Sequence, residues 1–255
     1  MTETKCIVVS DVHLGTELSD RDRFIDFIDD LGSDVDHLVL LGDIFDFWRR
    51  DPVGVLLENI NVIQKLLSLE PTINVSYVLG NHDFHLIRFP KSYFGSIFDL
   101  NYDLSLVYGE TPYRFIHGYQ LEYKRFGTLA AYEMFADEMC EAGDDVGRVA
   151  DAVWKRVCGG GKVIDRIRNL IGRPNWVSKI VGETVAPPDK RDLKKLEGYA
   201  AQLTTGRYAG EFLIYGHTHE PFVKMEKNIA NTGSWVDGST DYLEIDASGI
   251  ALASY

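Results

Sequence analysis

The chain has 255 residues, of which 45% are hydrophobic and 12% aromatic, so its composition is that of a folded protein and excludes a disordered one. Its net charge of −13 disfavours a protein that binds nucleic acid over its whole surface. The three cysteines are odd in number and widely spaced, which favours a reduced, cytoplasmic setting. The apolar run near the N-terminus is too short for a signal peptide, and no run of about 18 apolar residues predicts a membrane span.

Three short apolar runs in the first third of the chain predict buried strands, at residues 6–9, 38–41 and 73–79. Between them, apolar residues recur with helical spacing. One predicted helix follows an N-cap at Ser19, and a second extends from about residue 53 to 69. The order is βαβαβ, which is typical of a parallel sheet covered by helices.

Each of these strands is followed by polar residues, and so are two later strands predicted at residues 113–116 and 212–215. The carboxyl ends of parallel strands meet at one edge of a sheet, where ligands bind. We therefore expect the polar residues to come together. In chain order they are Asp11 and His13, Asp43 and Asp46, Asn81 and His82, His117, and finally His217 and His219.

From about residue 120 to 207 the apolar spacing becomes helical, with breaks at Gly159–Gly161 and at several prolines. This pattern predicts a helical cap inserted into a single domain that comprises residues 1–255. After the strand at 212–215, short apolar stretches at 222–225, 228–230, 242–245 and 250–253 predict strands of an antiparallel meander that returns to the core.

The inserted segment is basic in an otherwise acidic chain. Between residues 154 and 195 the net charge is about +7, and apolar residues are interleaved with the positive ones. Two interpretations stay open. The segment could consist of ordinary helices with a solvated basic face, or it could receive an anionic, partly apolar substrate or contact a membrane peripherally.

The composition of the strand-end clusters indicates metal binding. Five of the seven histidines belong to them, which core packing alone does not explain. Mixed Asp, Asn and His ligands suit Mn²⁺, Fe or Zn²⁺. Two such ions, about 3.5–4 Å apart and sharing a carboxylate, stabilise the attacking and leaving oxygens in phosphoester hydrolysis. The chain has no GxSxG, Walker-type or GxGxxG motif that would favour another chemistry.

Taken in order, the five clusters resemble the motif set of the calcineurin-like metallophosphoesterases. The resemblance implies a four-layer α/β/β/α sandwich and hydrolysis of a phosphoester or pyrophosphate bond by a hydroxide that bridges two divalent ions, with Mn²⁺ expected first. It also implies that His82, paired with Asp46, protonates the leaving group or stabilises the transition state. The implied ligands are Asp11, His13, Asp43 and His219 for one ion, and Asp43, Asn81, His117 and His217 for the other.

Within that superfamily the chain looks most like the UDP-2,3-diacylglucosamine pyrophosphatases of lipid A synthesis. The similar stretches are GDIFDFW, GNHDFHL and GHTHEPF, together with the helical insertion after His117. Those enzymes typically have Arg after the Asn of the third motif, where this chain has His82. The resemblance therefore implies the reaction class, with a substrate that is a nucleotide sugar or a phospholipid-like anion.

Two alternatives remain from the sequence alone. A nuclease or phosphodiesterase acting on nucleic acid or nucleotides would use the same ligands, with the basic segment as its binding surface; the net charge of −13 disfavours it. A non-catalytic scaffold could also share the fold, although such a protein has no need of a complete ligand set.

Overall fold

A computed structural model describes residues 4–69, 72–89, 98–122, 128–142 and 190–255. Most of the predicted cap, with most of its basic segment, lies outside these ranges, so its peripheral membrane contact stays a prediction. Among the described residues, no helix combines the length and hydrophobicity needed to cross a bilayer.

The described residues form eleven strands and five α-helices. The helices are α1 (Arg21–Asp29), α2 (Pro52–Glu58), α3 (Ile60–Leu69), α4 (Leu129–Ala142) and α5 (Lys190–Thr205). The strands are β1 (Lys5–Val9), β2 (Val35–Leu40), β3 (Asn74–Val78), β4 (Asp99–Asn101), β5 (Leu104–Tyr108), β6 (Thr111–Phe115), β7 (Phe212–Tyr215), β8 (Phe222–Lys224), β9 (Ile229–Asn231), β10 (Asp241–Asp246) and β11 (Gly249–Ser254).

These strands make two sheets. The first has the order β11-β10-β1-β2-β3-β4, in which β1 to β4 are parallel and β10 and β11 are antiparallel to their neighbours. The second has the order β5-β6-β7-β9-β8, and β6, β7 and β9 are parallel. The predicted βαβαβ unit is confirmed as β1 to β3 with their connecting helices.

The alternation of side chains along the strands explains how the sheets stack. On β1, Cys6 and Val8 belong to a core between the two sheets, whereas Ile7 and Val9 face a core shared with α1 and α3. On β7, Phe212 and Ile214 face the first sheet, whereas Leu213 packs in a cluster with residues of α5. The result is the predicted four-layer α/β/β/α sandwich.

Two expectations about the helices were wrong. The N-cap of α1 is Asp20, whose carboxylate accepts a hydrogen bond from the Arg23 N–H, and not Ser19. The single helix expected from about residue 53 to 69 is two helices, because α2 ends at Glu58 and is followed by a C-cap, Asn59, whose side-chain amide donates to the Val55 carbonyl. Such side-chain bonds compete with the helical ladder.

The tail is also different from the expected meander. It forms two antiparallel hairpins in different sheets: β8 and β9 extend the second sheet, and β10 and β11 extend the first. The strand positions agree with the prediction to within one or two residues, but apolar spacing did not indicate which sheet each strand joins.

Candidate metal centre

The strand-end residues lie at one edge of both sheets. β1, β2 and β3 of the first sheet lead into the clusters of Asp11, Asp43 and Asn81, and β6 and β7 of the second lead into His117 and His217. Eight of the nine predicted site residues fall into three groups of three in which the potential ligand atoms lie within 4.8 Å of one another. The ninth, Asn81, is buried beside His82.

The first group consists of Asp11, His13 and His219. The Asp11 Oδ1 atom lies 3.2 Å from Nε2 of His219 and 3.8 Å from Nε2 of His13. The two Nε2 atoms are 3.3 Å apart. This arrangement puts one carboxylate oxygen and two imidazole nitrogens around a common point, as a divalent cation requires.

The second group consists of Asp43, His117 and His217. Nδ1 of His117 lies 2.7 Å from the Leu41 carbonyl oxygen, so it carries the ring proton and donates there. The other ring nitrogen, Nε2, faces Asp43 Oδ2 at 3.1 Å.

Asp43 adjoins both groups. The same oxygen that faces His117, Oδ2, lies 4.0 Å from Nε2 of His13 in the first group. The other oxygen, Oδ1, accepts a hydrogen bond from the backbone N–H of His82 at 2.7 Å, which fixes the carboxylate. Asp43 therefore has the position of a carboxylate shared by two cations.

Five of the predicted ligands have a left-handed backbone. The φ angles of Asp11, His13, Asp43, His217 and His219 lie between 52° and 67°. Residues other than glycine rarely adopt this region, and such strain concentrates at functional sites where the surrounding structure enforces it.

Two glycines make room for this convergence. A Cβ on Gly42 would lie 2.6 Å from His117 Nδ1, and one on Gly80 would lie 2.1 Å from Asp43 Oδ1. Gly42 also has a φ of 83°, which side chains disfavour. Both positions in the GD and GN motifs are therefore required to be glycine by close approach of the ligand side chains.

Three atoms of the predicted metal ligands are buried and make no hydrogen bond within the part of the chain that the structure describes: Asp11 Oδ1, Asn81 Oδ1 and His117 Nε2. Buried polar atoms normally have a partner, because an unsatisfied one costs about 1–3 kcal/mol. All three are atoms of predicted ligands, and all can coordinate a divalent cation. The residues present thus fit the pair of ions that the sequence predicts.

The charges of the site support the same conclusion. Burial opposes ionisation of Asp11, but His219 and His117 outweigh it and lower the pKa of Asp11 to about 2. Burial would lower the pKa of His117, yet Asp43 and Asp11 raise it to about 10. The carboxylates stay ionised at the cost of protons on the imidazoles, and a cation can replace those protons.

Asp46 forms the third group with His13 and His82. Its Oδ2 lies 3.1 Å from Nδ1 of His13 and 3.2 Å from Nδ1 of His82, and it also accepts a hydrogen bond from the Arg49 guanidinium. Asp46 was predicted to orient His82 alone; the structure places it beside a predicted ligand as well. The indole of Trp48 stacks on the His82 ring at 4.3 Å.

Asp83 is a residue that sequence reasoning did not single out. Its buried carboxylate accepts hydrogen bonds from the N–H groups of Gly80 and Ile44 and from the Tyr77 hydroxyl. These bonds tie the loop after β3 to the loop after β2, and so hold two ligand clusters in register. The sequence signal was available, because Asp83 directly follows His82 in the third cluster.

Glu122 is the second residue that was missed. It is buried, and its Oε2 lies 3.3 Å from Nε2 of His217. No motif contains it, and no spacing rule relates it to a residue so far along the chain.

Comparison with known proteins is in agreement with this geometry. The family model for calcineurin-like phosphoesterases matches residues 4–221. The chain belongs to the calcineurin-like phosphoesterases. It is therefore a phosphoesterase or diphosphate hydrolase, and the metal-dependent hydrolysis typical of that family agrees with the ligand groups described above.

Curated relatives of this phosphoesterase include the UDP-2,3-diacylglucosamine hydrolase of Shewanella baltica (strain OS185), which is 25% identical over 98% of this chain and 97% of its own. The enzyme of that name from Haemophilus influenzae is 24% identical over 94% of both chains. Among solved structures, a novel archaeal phosphodiesterase aligns over 99% of this chain and 100% of its own, with 13% identity and a TM-score of 0.46.

Proposed function

We propose that this phosphoesterase uses two divalent ions, with Mn²⁺ as the first choice, to hydrolyse a phosphoester or diphosphate bond of a nucleotide sugar or a phospholipid-like anion. The observation that carries the proposal is the position of Asp43 Oδ2, which faces His117 on one side and His13 on the other. A carboxylate in that position can serve two cations at once.

In this proposal, each ion has four protein ligands. Both ions, when bound, would supply Lewis-acid polarisation of the phosphoryl group and a source of hydroxide near neutral pH. Asp43 is common to the two sets. The first ion would be held by Asp11, His13, Asp43 and His219, and the second by Asp43, Asn81, His117 and His217.

His82 would act on the leaving group. Its Nδ1 faces Asp46 at 3.2 Å, which leaves Nε2 to donate a proton to the departing oxygen or to stabilise charge that develops there. The stacking of the Trp48 indole on the His82 ring limits rotation of that ring about its Cβ–Cγ bond. Asp46 is then a positioning residue for both His82 and His13.

The substrate class is supported by the relatives. Their name describes hydrolysis of UDP-2,3-diacylglucosamine, which is a nucleotide sugar that carries acyl chains. A net charge of −13 is consistent with a small anionic substrate guided by local charges and not with a polyanion bound over a wide surface.

We also propose that the chain is a single domain and that residues from about 120 to 207 form a cap beside the site. Support comes from the second sheet, where Phe115 of β6 pairs with Ile214 of β7 although the inserted segment lies between them in sequence. Because β6 and β7 pair directly with each other, the pairing supports an insertion between them in sequence.

The test is a substrate screen with the purified protein and Mn²⁺. Suitable substrates are UDP-2,3-diacylglucosamine, UDP-N-acetylglucosamine, an aryl phosphate and a bis-aryl phosphate, with ³¹P NMR to identify the bond that is broken. We expect metal-dependent turnover by the wild type and none by Asp43→Ala. Equal rates for both proteins, or turnover that survives a chelator, would overturn the proposal.

A further inference from the structure

His117 and His13 each have Nε2 directed at carboxylates of the first two groups and Nδ1 directed at an acceptor outside those two groups. For His117 the outer acceptor is the Leu41 carbonyl, 2.7 Å from Nδ1. For His13 it is Asp46 Oδ2, 3.1 Å from Nδ1. Outer partners of this kind fix the tautomer and orientation of metal-binding histidines.

His217 differs from them, because its Nε2 and not its Nδ1 faces a carboxylate outside the first two groups. That carboxylate belongs to Glu122, whose Oε2 lies 3.3 Å from Nε2 of His217 in an ion-pair contact. We propose that Glu122 is the positioning residue of His217, and that it thereby assigns Nδ1 of His217 as the nitrogen that binds the second ion. The inference rests on the proposed function and deepens it.

The local fold explains why Glu122 reaches His217. The chain leaves β6 at His117, turns at Gly118 and forms a short 3₁₀ helix, Tyr119–Leu121, which the N–H of Glu122 closes on the Tyr119 carbonyl. Gly118 has a φ of 131°, and a Cβ there would lie 2.7 Å from the Cβ of His217. The turn thus passes directly over His217 and delivers Glu122 beside its ring.

The position of His217 is fixed from two further directions. Its backbone N–H donates to Asp11 Oδ2 at 2.9 Å. Its ring packs edge-on against the His117 ring, with 5.2 Å between centroids. These contacts place the residue but do not choose between its two ring nitrogens. In this proposal the ion-pair contact with Glu122, which is only 6% exposed, makes that choice.

The first experiment measures metal affinity. Wild type, Glu122→Gln and Glu122→Ala are titrated with Mn²⁺ by calorimetry, and EPR detects the coupled pair of ions. Loss of an outer partner lowers metal affinity about 10- to 100-fold. We expect that loss for the second ion only, smaller in Glu122→Gln, which keeps an acceptor, than in Glu122→Ala.

Glu197→Gln is the matched control, because Glu197 is also a partly buried glutamate but pairs with Lys224 and Lys227 away from the site. It should bind both ions as the wild type does. If both Glu122 variants also do so while the wild type binds two ions, the inference is overturned and the proposed function stands. A wild type that binds fewer than two ions overturns both.

The second experiment needs no variant. In protein labelled with ¹⁵N-histidine and loaded with Zn²⁺, long-range ¹H–¹⁵N correlation spectra distinguish the metal-bound nitrogen from the protonated one in each ring. We expect His217 to be bound through Nδ1 and protonated at Nε2, and His117 to show the opposite arrangement. A His217 ring that binds Zn²⁺ through Nε2 would exclude the assigned role of Glu122.

Discussion

The two sheets contribute different chemistry to the site. The first sheet supplies all the carboxylates of the ligand groups, among them Asp11 and Asp43, together with Asn81. The second sheet supplies imidazoles alone, from His117, His217 and His219. The part of the candidate centre that contains the carboxylates and the part that contains only imidazoles therefore meet only because the sheets are stacked.

This division has a physical consequence. In the metal-free protein, burial lowers the pKa of His117 and His219, but Asp43 and Asp11 outweigh it and raise both, to about 10 for His117, so these two imidazoles and the carboxylates of the first sheet attract one another. Two cations would replace that attraction by coordination bonds between the sheets. We expect metal binding to connect the sheets and to add to the stability of the whole sandwich.

The largest effect should follow from the carboxylate that serves both ions. Asp43→Ala removes a ligand from each set, so we expect the metal content to fall from two ions to below one per chain. Activity should fall by more than about 100-fold. That is the upper end of the loss expected when only an outer partner of a ligand is removed. Elemental analysis and steady-state kinetics measure the two quantities.

Asp237→Ala is the control for this change. Asp237 is exposed and has nearly the same left-handed φ, 54° against 55° for Asp43, so it tests the cost of alanine in that backbone conformation. It should retain both ions. If Asp43→Ala retains them as well, Asp43 is not a shared ligand.

The next effect concerns His82, which comes from the first sheet but is not assigned to a metal. His82→Ala should keep both ions and lower kcat about 10²- to 10⁴-fold, the usual range for a general acid. The loss should be smaller for an aryl phosphate with a good leaving group, which needs less protonation. His85→Ala, in which the lost histidine pairs with Asp137 and not with Asp46, should change kcat little. Equal losses in the two variants would contradict the assigned role.

A third effect is the dependence of stability on metal and pH. A ligand whose free concentration is 100 times its Kd stabilises a protein by about 2.7 kcal/mol. Removal of the metal ions by a chelator should therefore lower Tm by several degrees. In the metal-free protein, burial would lower the pKa of His117, but Asp43 raises it to about 10. The stability from its protonation is complete below pH 6.5 and is lost as the pH rises toward 10.

In the loaded protein an ion replaces that proton, so its stability should fall less over the same interval. The difference in Tm between the loaded and metal-free forms should therefore grow as the pH rises from about 6.5 to about 8.5. Thermal melts in matched buffers measure it. A difference that shrinks with rising pH would mean that protons and metal do not compete for this imidazole.

The smallest expected effect tests whether metal binding at the sheet edge is independent of the stability of the outer helical layer. Asp20→Ala removes the N-cap of α1 and should cost about 0.5–2 kcal/mol, which corresponds to a few degrees in Tm. Ser19→Ala should cost less, since Ser19 does not cap the helix. Neither should change metal content; a loss of ions in Asp20→Ala would show that the outer layer controls the site.

Much of this protein follows from its sequence. Short apolar runs followed by polar residues placed the strands and the nine candidate site residues, because strand burial and chain order are local properties of the sequence. The resemblance carried by those motifs then gave the family, which the family model confirms.

Other features depend on contacts between residues that are distant in sequence. The sheet that each tail strand joins depends on side-chain packing against the other sheet, which apolar spacing does not encode. The break at Asn59 depends on one side-chain hydrogen bond. The contact of Glu122 with His217 needs β6 and β7 to be neighbours. Strand pairing and sheet stacking are non-local, so only the tertiary structure shows which groups lie beside the imidazoles of His13, His117 and His217.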